Sequence, residues 1–232
     1  MRILILILFI FIFISCKNED VVSAKKIIAK ENNKINETNK EIIDTIFFDF
    51  EKNNIDFAVI NLLEKTFNKD SICSVQLKLD FWNNKSKIGS ETIQIEGFDE
   101  NSEFFGTYLD SLNHSLKTIH IGYPACAYQQ NGFLFYTDNN KVQLLYQFTE
   151  FSDSGWGSYV EFFPTNKNQV TSRRTNFSPD ENDSSTEDMG IVEYSDSLTF
   201  SLKNNTWELN LITPKEKVYR REKKSFEEFH KQ

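Results

Sequence analysis

The chain has 232 residues, with 34 acidic and 26 basic side chains and an aromatic set of 22 Phe, 8 Tyr and 3 Trp. A chain of this length folds as one domain or two small ones, and it can bury enough surface to need no structural metal or disulfide framework. The net charge of −8 argues against nucleic acid as a partner, because neutralising phosphates requires clustered Lys and Arg.

The N-terminus combines one basic residue with a long apolar run. Arg2 precedes the twelve apolar residues from Ile3 to Ile14. As a helix this run would span about 18 Å, whereas a bilayer core of about 30 Å needs about 20 residues. The run is therefore too short for a comfortable membrane span and is typical of the apolar core of a signal peptide.

The end of this run, Phe13-Ile14-Ser15-Cys16, resembles the lipobox of bacterial lipoproteins, although Phe13 is bulkier than the usual leucine. The resemblance implies that residues 1–15 are a signal peptide cleaved before Cys16. Cys16 would then carry a diacylglyceryl group on its sulfur and an acyl chain on its amine, and several chains together anchor a protein stably. We therefore expect a lipoprotein of a Gram-negative outer membrane, held there through Cys16. An ordinary secretory signal with a coincidental cysteine is the alternative.

The segment after the cysteine is charged. Its first four residues, Lys17-Asn18-Glu19-Asp20, resemble the Lys-plus-acidic signal that sends some lipoproteins to the cell surface. They also fit the solvated start of a linker, so the periplasmic face and the cell surface both stay open. Residues 16–45 contain no Gly or Pro and are rich in Lys, Glu, Asn and Ile, which predicts a flexible charged tether that is helical only in part.

A β-rich globular domain is predicted over residues 46–214, beginning with a short strand at 46–50. Residues 55–67 place apolar side chains at helical spacing after two asparagines that can cap, which predicts a helix. Residues 74–81 alternate between apolar and polar side chains, which predicts a half-buried strand with residues 92–95 as its antiparallel partner.

Residues 102–116 return to helical spacing and predict a second helix, in spite of Gly106. Strands follow at 117–121 and 158–163, and turn residues predict two hairpins, which pair 132–137 with 141–148 and 197–203 with 206–212. The fold class is therefore α+β, mainly antiparallel sheet of a meander or sandwich type with one or two helices.

Two polar segments complete the chain. Residues 176–189 are acidic and Ser-rich, which predicts a mobile loop. Residues 215–232 mix Lys and Arg with Glu at helical spacing, which predicts a charged C-terminal helix or tail with a solvated face.

Two cysteines remain after lipidation of Cys16. Cys73 and Cys126 would share an oxidising compartment, which permits a disulfide. Closing a loop of about fifty residues would be worth about 4 kcal/mol, provided that the two Cα atoms lie within bonding distance. The pair is a candidate disulfide, with two free thiols as the alternative.

The histidines and acids give no strong metal or catalytic pattern. His114, His120 and Cys126 lie six residues apart, which matches no common zinc spacing, and a Cys126–His120 nucleophilic pair would require a free, activated thiol. The acidic stretch 180–188 echoes a calcium loop, but Ser185 and Ile191 stand where that loop needs Gly and Glu. We predict no metal and no cofactor.

Ser154-Gly155-Trp156-Gly157-Ser158 is the most unusual local sequence. An exposed Trp156, with Tyr159 and nearby acids, would stack a sugar ring or a peptide. Alternatively, the two glycines would form a tight turn while Trp156 fills the core. Tyr123, in Tyr123-Pro124-Ala125-Cys126, is a second candidate contact residue.

Three function hypotheses are compatible with these patterns. The first is a non-enzymatic lipoprotein that binds a glycan, a peptide or a partner protein through Trp156, Tyr159 and Tyr123. The second is a hydrolase of envelope or extracellular polymers, in which a histidine meets an acid or Cys126. The third is an inhibitor or immunity-type lipoprotein with a protruding loop at 176–189. The sequence contains no Gly-x-Ser-x-Gly elbow, Gly-rich phosphate loop or His-Glu-x-x-His motif, so the first is preferred.

Overall fold

A computed structural model describes residues 41–48, 56–109, 115–123, 128–138, 141–183 and 188–231. The predicted signal peptide, Cys16 and residues 17–40 lie outside these ranges. The described residues form strands and one short helix, α1 (Phe226–His230). The strands are β1 (Glu41–Phe47), β2 (Asp56–Phe67), β3 (Cys73–Asn83), β4 (Ser86–Glu96), β5 (Glu103–Tyr108), β6 (Leu116–Tyr123), β7 (Tyr128–Asp138), β8 (Lys141–Asp153), β9 (Trp156–Asn166), β10 (Gln169–Pro179), β11 (Met189–Lys203), β12 (Thr206–Leu211) and β13 (Arg220–Ser225).

The strands form two antiparallel sheets in which most strands pair with the next one along the chain. The first sheet has the order β1-β2-β3-β4. The second runs from β12 through β11, β10, β9, β8, β7 and β6 to β5, with β13 also paired to β11. Since the pairing is antiparallel throughout the described residues and one short helix accompanies it, the predicted β-dominated α+β class is confirmed.

The main core lies between the two sheets. Strand β3 contributes alternate buried residues, Val75, Leu77, Leu79 and Phe81, as its sequence pattern predicted. They join an inter-sheet cluster that includes Phe133 and Phe135 of β7 in the second sheet. The Phe81 and Phe135 ring centroids are 5.1 Å apart. Period-two alternation places one face of each strand against the other sheet.

The second sheet curls around another core. Gln143 of β8 donates to the Trp207 carbonyl of β12 at 3.1 Å and accepts from the Trp207 amide at 3.3 Å, which brings the β12 edge back to β8. The enclosed apolar cluster contains six buried side chains, Leu116, Leu134, Val170, Leu198, Phe200 and Trp207.

The C-terminus covers a third cluster on the opposite face of the second sheet. β13 pairs with the first half of β11, and α1 follows directly. Ser225 caps this helix by accepting from the Glu228 amide, while the Glu228 side chain accepts from the Ser225 amide. Phe226 and Phe229 of α1 pack against the buried Phe177.

The helix predicted over residues 55–67 is wrong, because this segment is strand β2. A bulge between Leu62 and Glu64 inserts Leu63 into the strand. Two leucines in succession disturb the alternation of a strand and imitate helical spacing.

The helix predicted over residues 102–116 is also wrong where the structure describes it, since Glu103–Tyr108 form β5. Phe104 and Tyr108 pack on the inter-sheet cluster, whereas Phe105 is exposed. Gly106 lies between them because β1 is too close for a side chain: a Cβ there would be 2.9 Å from Ile46 Cγ2 and from Phe48 Cε1.

Several predicted boundaries also change. Residues 41–45, which were assigned to the tether, belong to β1. Residues 176–179 belong to β10 and Met189 to β11, so the predicted loop is shorter at both ends. In the charged C-terminal segment, residues 220–225 are a strand, and the helix is limited to 226–230. The predicted strand at 117–121, the strand at 158–163 and both hairpins are confirmed.

The described ranges contain no helix with the length and apolar character needed to cross a bilayer.

Candidate functional site

A buried ion pair lies at one end of the inter-sheet core. Lys117 of β6 alternates with Ile119 and Ile121 and therefore points towards the first sheet. Its side chain is 2% exposed, and its Nζ lies 3.2 Å from Asp56 Oδ2 of β2 and donates to Thr137 Oγ1 of β7. Lys117 thus joins three strands from both sheets.

Asp56 is only partly satisfied. Its Oδ2 accepts from the Tyr108 hydroxyl at 2.7 Å as well as facing Lys117. Its Oδ1 is buried without a hydrogen-bond partner. A buried charged acceptor without a donor is costly, so such atoms mark sites where water or a ligand completes the structure.

The rings around Lys117 add to its environment. Its Nζ lies 5.5 Å from the Phe48 centroid and 5.2 Å from the Tyr108 centroid. Burial lowers the pKa of Lys117 from its ordinary value of 10.5, while the charge and hydrogen bond of Asp56 oppose that shift.

A cavity of about 440 Å³ adjoins this ion pair. Asp56, Lys117 and Thr137 are the buried part of its wall. The rest of the wall is mostly polar and comes from strand ends and turns: Asn83, Asn84, Ser86, Ser115 and Asp138, with Ile88. We call this the inter-sheet cavity.

A second polar cluster surrounds His120 on the other face of β6. The imidazole stacks on Phe105 at 5.0 Å, and its Nδ1 lies 3.4 Å from Glu150 Oε2. The buried Glu150 accepts from Gln130 Nε2 at 2.8 Å and from the Val160 amide at 2.7 Å. His120 Nδ1 and Gln130 Oε1 have no hydrogen bond, so the cluster is only partly satisfied. Glu150 therefore lies at ion-pair distance from Nδ1 without a hydrogen bond to it.

Trp156 begins β9, immediately after a tight turn. Gly155 has a φ of +90°, and a Cβ on it would lie 2.6 Å from the Phe226 ring. The Trp156 ring stacks on Phe177 at 4.3 Å and tilts against Phe226 at 5.2 Å. The glycine therefore provides the turn, as the structural interpretation of this motif predicted, and it also leaves room for α1.

Trp156 also lines a surface groove of about 610 Å³. The groove is lined by aromatic Phe151, Trp156 and Phe177, by Pro179, and by polar Asp153, Ser154, Ser158, Asn176 and Ser178, with Gly157. Phe151 is 42% exposed and Trp156 is half-buried. We call this the Trp156 groove.

The remaining candidate residues that the structure describes do not line the Trp156 groove. The Tyr159 hydroxyl donates to the Gly155 carbonyl at 2.8 Å, so this residue holds the turn rather than lining the groove. Tyr123 ends β6, and its side chain lies outside the described part of the chain, as do His114 and Cys126. Cys73 is buried, and Cys126 lies outside the described ranges. Their pairing stays a prediction.

The acidic and basic segments near the C-terminus neutralise each other. Asp180 and Asp183 both lie beside Lys223 of β13, and Arg221 pairs with Glu193 at 2.7 Å. Among the described residues no group of three or more His, Cys, Asp and Glu side chains is arranged to hold a metal ion.

Comparison with known proteins does not assign the chain to a family. No protein-family model matches the chain, and neither a curated protein nor a solved structure matches it significantly.

The sequence analysis did not identify Lys117 or Asp56 as candidate site residues. The available signal was a charged residue at an inward position of each strand, since Lys117 continues the Ile119–Ile121 face and Asp56 continues the Ala58–Ile60 face. Because the Asp56 strand was predicted as a helix, its inward face could not be identified.

Proposed function

We propose that this protein is a lipoprotein tethered through Cys16 to a bacterial outer membrane, and that its β domain binds a glycan in the Trp156 groove. The tether rests on the N-terminal pattern of Arg2, the apolar run and the lipobox-like Phe13–Cys16. The domain must face the side of the membrane on which its glycan lies. Identifying the glycan will therefore show whether the domain faces the periplasm or the cell surface.

The composition of the Trp156 groove is the observation that supports glycan binding. A sugar ring has an apolar C–H face, which packs on aromatic rings, and hydroxyl groups, which need hydrogen-bond partners. Phe151 and Trp156 provide the aromatic surface, and Asp153 and Asn176 provide a carboxylate and an amide in the same groove. Sites with mostly apolar walls and a few polar groups are typical of small-ligand recognition.

The anchor is tested by mass spectrometry and fractionation of the full chain. We expect the mature protein to begin at Cys16, to carry acyl chains and to sediment with membranes. Cys16→Ala should remain unprocessed and lose the lipid mass. Release of an unlipidated mature chain from the unaltered protein would instead identify an ordinary secretory signal.

Glycan binding is tested with the detergent-solubilised protein and a panel of soluble oligosaccharides, using Trp fluorescence and calorimetry. Phe151→Ala should weaken binding about tenfold or more, which corresponds to the loss of one stacking contact of about 1.4 kcal/mol. Phe163→Ala is the matched control, since Phe163 and Phe151 are both 42% exposed but Phe163 is absent from the groove. Equal effects of the two variants, or no saturable binding to any glycan, would refute this assignment.

A hydrolase is the second candidate, and the His120–Glu150 pair favours it. A histidine with a buried carboxylate 3.4 Å from its Nδ1 is a pairing that general acid–base catalysis uses. Turnover of envelope polysaccharide or peptide that falls at least a hundredfold in His120→Gln, with folding retained, would support this role. Unchanged turnover in that variant would exclude it.

A further inference from the structure

We propose that the inter-sheet cavity is a second ligand site, which binds a small molecule through a primary ammonium group. This site is independent of the proposed glycan site, because none of the residues that the structure describes lines both the cavity and the Trp156 groove.

The unfilled acceptor on Asp56 is the first argument. Asp56 is buried, with 8% of the residue and 11% of its side chain exposed, and it lines the cavity. One of its oxygens is occupied by Lys117 and Tyr108. Its other oxygen, Oδ1, has no hydrogen-bond partner. An ionised carboxylate accepts about four hydrogen bonds, so a donor from a ligand would complete the site. A charged donor forms the stronger bond.

The charge of the wall selects an ammonium group over an anion. Two carboxylates, Asp56 and Asp138, line the cavity against one ammonium, Lys117. Lys117 already faces Asp56 Oδ2 and donates to Thr137, so its charge is directed at protein atoms rather than at a ligand. An anionic ligand would therefore meet an excess of negative charge, and a cation would reduce it.

The rim sets the remaining chemistry. The side chains of Asn83, Asn84, Ser86 and Ser115 bring amide and hydroxyl groups to the same wall, and Ile88 is the apolar member. A volume of about 440 Å³ lies within the range of small-molecule sites. These features fit a short amine with one or two further polar groups.

The probe is putrescine, and its neutral isostere butane-1,4-diol is the matched control, both measured by calorimetry on the solubilised full chain. We expect saturable putrescine binding and at least tenfold weaker binding of the diol. Succinate, which reverses the charge at the same chain length, should not bind. Absence of saturable putrescine binding, or equal affinity for the diol, would overturn the proposal.

Variants locate the site. Asp138→Asn changes an exposed rim carboxylate and should weaken putrescine binding severalfold with an unchanged melting temperature. Asp56→Asn should abolish binding, with folding verified by circular dichroism because Lys117 loses its counter-charge.

Glu100→Gln, which alters a carboxylate that does not line this cavity, is the control. Unchanged affinity in Asp138→Asn together with unchanged affinity in Asp56→Asn would overturn the proposal. Phe151→Ala should retain putrescine binding, which separates this site from the glycan groove.

Discussion

The inter-sheet cavity and the Trp156 groove differ in the chemistry of the side chains that line them. The cavity wall contains a buried ion pair, whose two members come from different sheets. The groove is lined by aromatic side chains, and one of them, Phe177, also packs against α1. Removing one member of a buried ion pair leaves an uncompensated charge, whereas removing one ring leaves a void. The two regions should therefore respond differently to substitution, salt and pH.

The largest effect is expected from breaking the Lys117–Asp56 pair. Asp56→Ala should lower the free energy of unfolding by about 3–5 kcal/mol, because a buried ammonium then has no counter-charge. The apolar double variant Asp56→Leu with Lys117→Met should recover most of that loss. Urea unfolding of the three proteins measures both quantities.

Two further observations test the same pair. Burial lowers the pKa of Lys117, and Asp56 opposes that shift, so Asp56→Ala should lower the pKa further. Because the unfolded chain then binds the proton more tightly than the folded one, the deficit of the variant should shrink as pH rises towards 10.5. Glu100→Ala removes a carboxylate that is 84% exposed and pairs with Lys65, and it should change stability by less than about 0.5 kcal/mol. A similar loss in both single variants would mean that burial of the pair does not matter.

The second effect concerns the floor of the groove. Phe177→Ala should cost about 3 kcal/mol, because a fully buried ring is removed. Phe177 touches Trp156, Phe226 and Phe229, so the loss should also expose the amides of β13 to hydrogen exchange. Protection that falls equally in β2 and β3 would contradict this local role.

The third effect separates backbone strain from crowding at the turn before Trp156. Gly97 and Gly155 both have positive φ, but a Cβ on Gly97 meets nothing within 4 Å. Gly97→Ala should therefore cost about 1 kcal/mol from strain alone. Gly155→Ala should cost about 2 kcal/mol, since its methyl group also meets the Phe226 ring, and it should shift Trp156 fluorescence. Equal costs would show that α1 yields freely.

The conformation and core face of single strands were largely predictable from the sequence, whereas contacts between strands were not. Ser74, Gln76 and Lys78 alternate with buried residues in β3, so the period gave the strand and its core face. In β2 the bulge at Leu63 disturbed that period, and a helix was predicted. Because an inward charge is recognisable only once the strand is known, Asp56 was missed with it.

The turn before Trp156 was predicted correctly, because its conformation depends on the neighbouring glycines in the sequence. The glycines on both sides of Trp156 indicated a tight turn, and Gly155 has the positive φ that such a turn requires. The partners Phe177 and Phe226 come from distant segments, β10 and α1, and no sequence pattern connects them to Trp156. Local conformation was therefore predictable, whereas the aromatic cluster depends on the sheet topology.

The smallest expected effect is a pH dependence of stability in the strands β11 and β13, which lead into α1. The Tyr194 hydroxyl donates to Glu222 and joins β11 to β13, the strand that leads into α1. This hydrogen bond, together with Lys224 and Arg220, lowers the pKa of Glu222 to about 2 from 4.5. Burial and Glu222 raise the pKa of Tyr194 to about 12 from 10.

The sign at each end of the pH range follows from these two shifts. Between about 4.5 and about 2 the unfolded chain binds the Glu222 proton first, so acidification should cost stability in that window. Between about 10 and about 12 the unfolded chain loses the Tyr194 proton first, so alkali should cost stability there. Glu222→Gln should flatten the acid slope, and Tyr194→Phe should flatten the alkaline slope. Denaturant midpoints measured across both windows test this, and slopes parallel to the unaltered protein in both variants would contradict it.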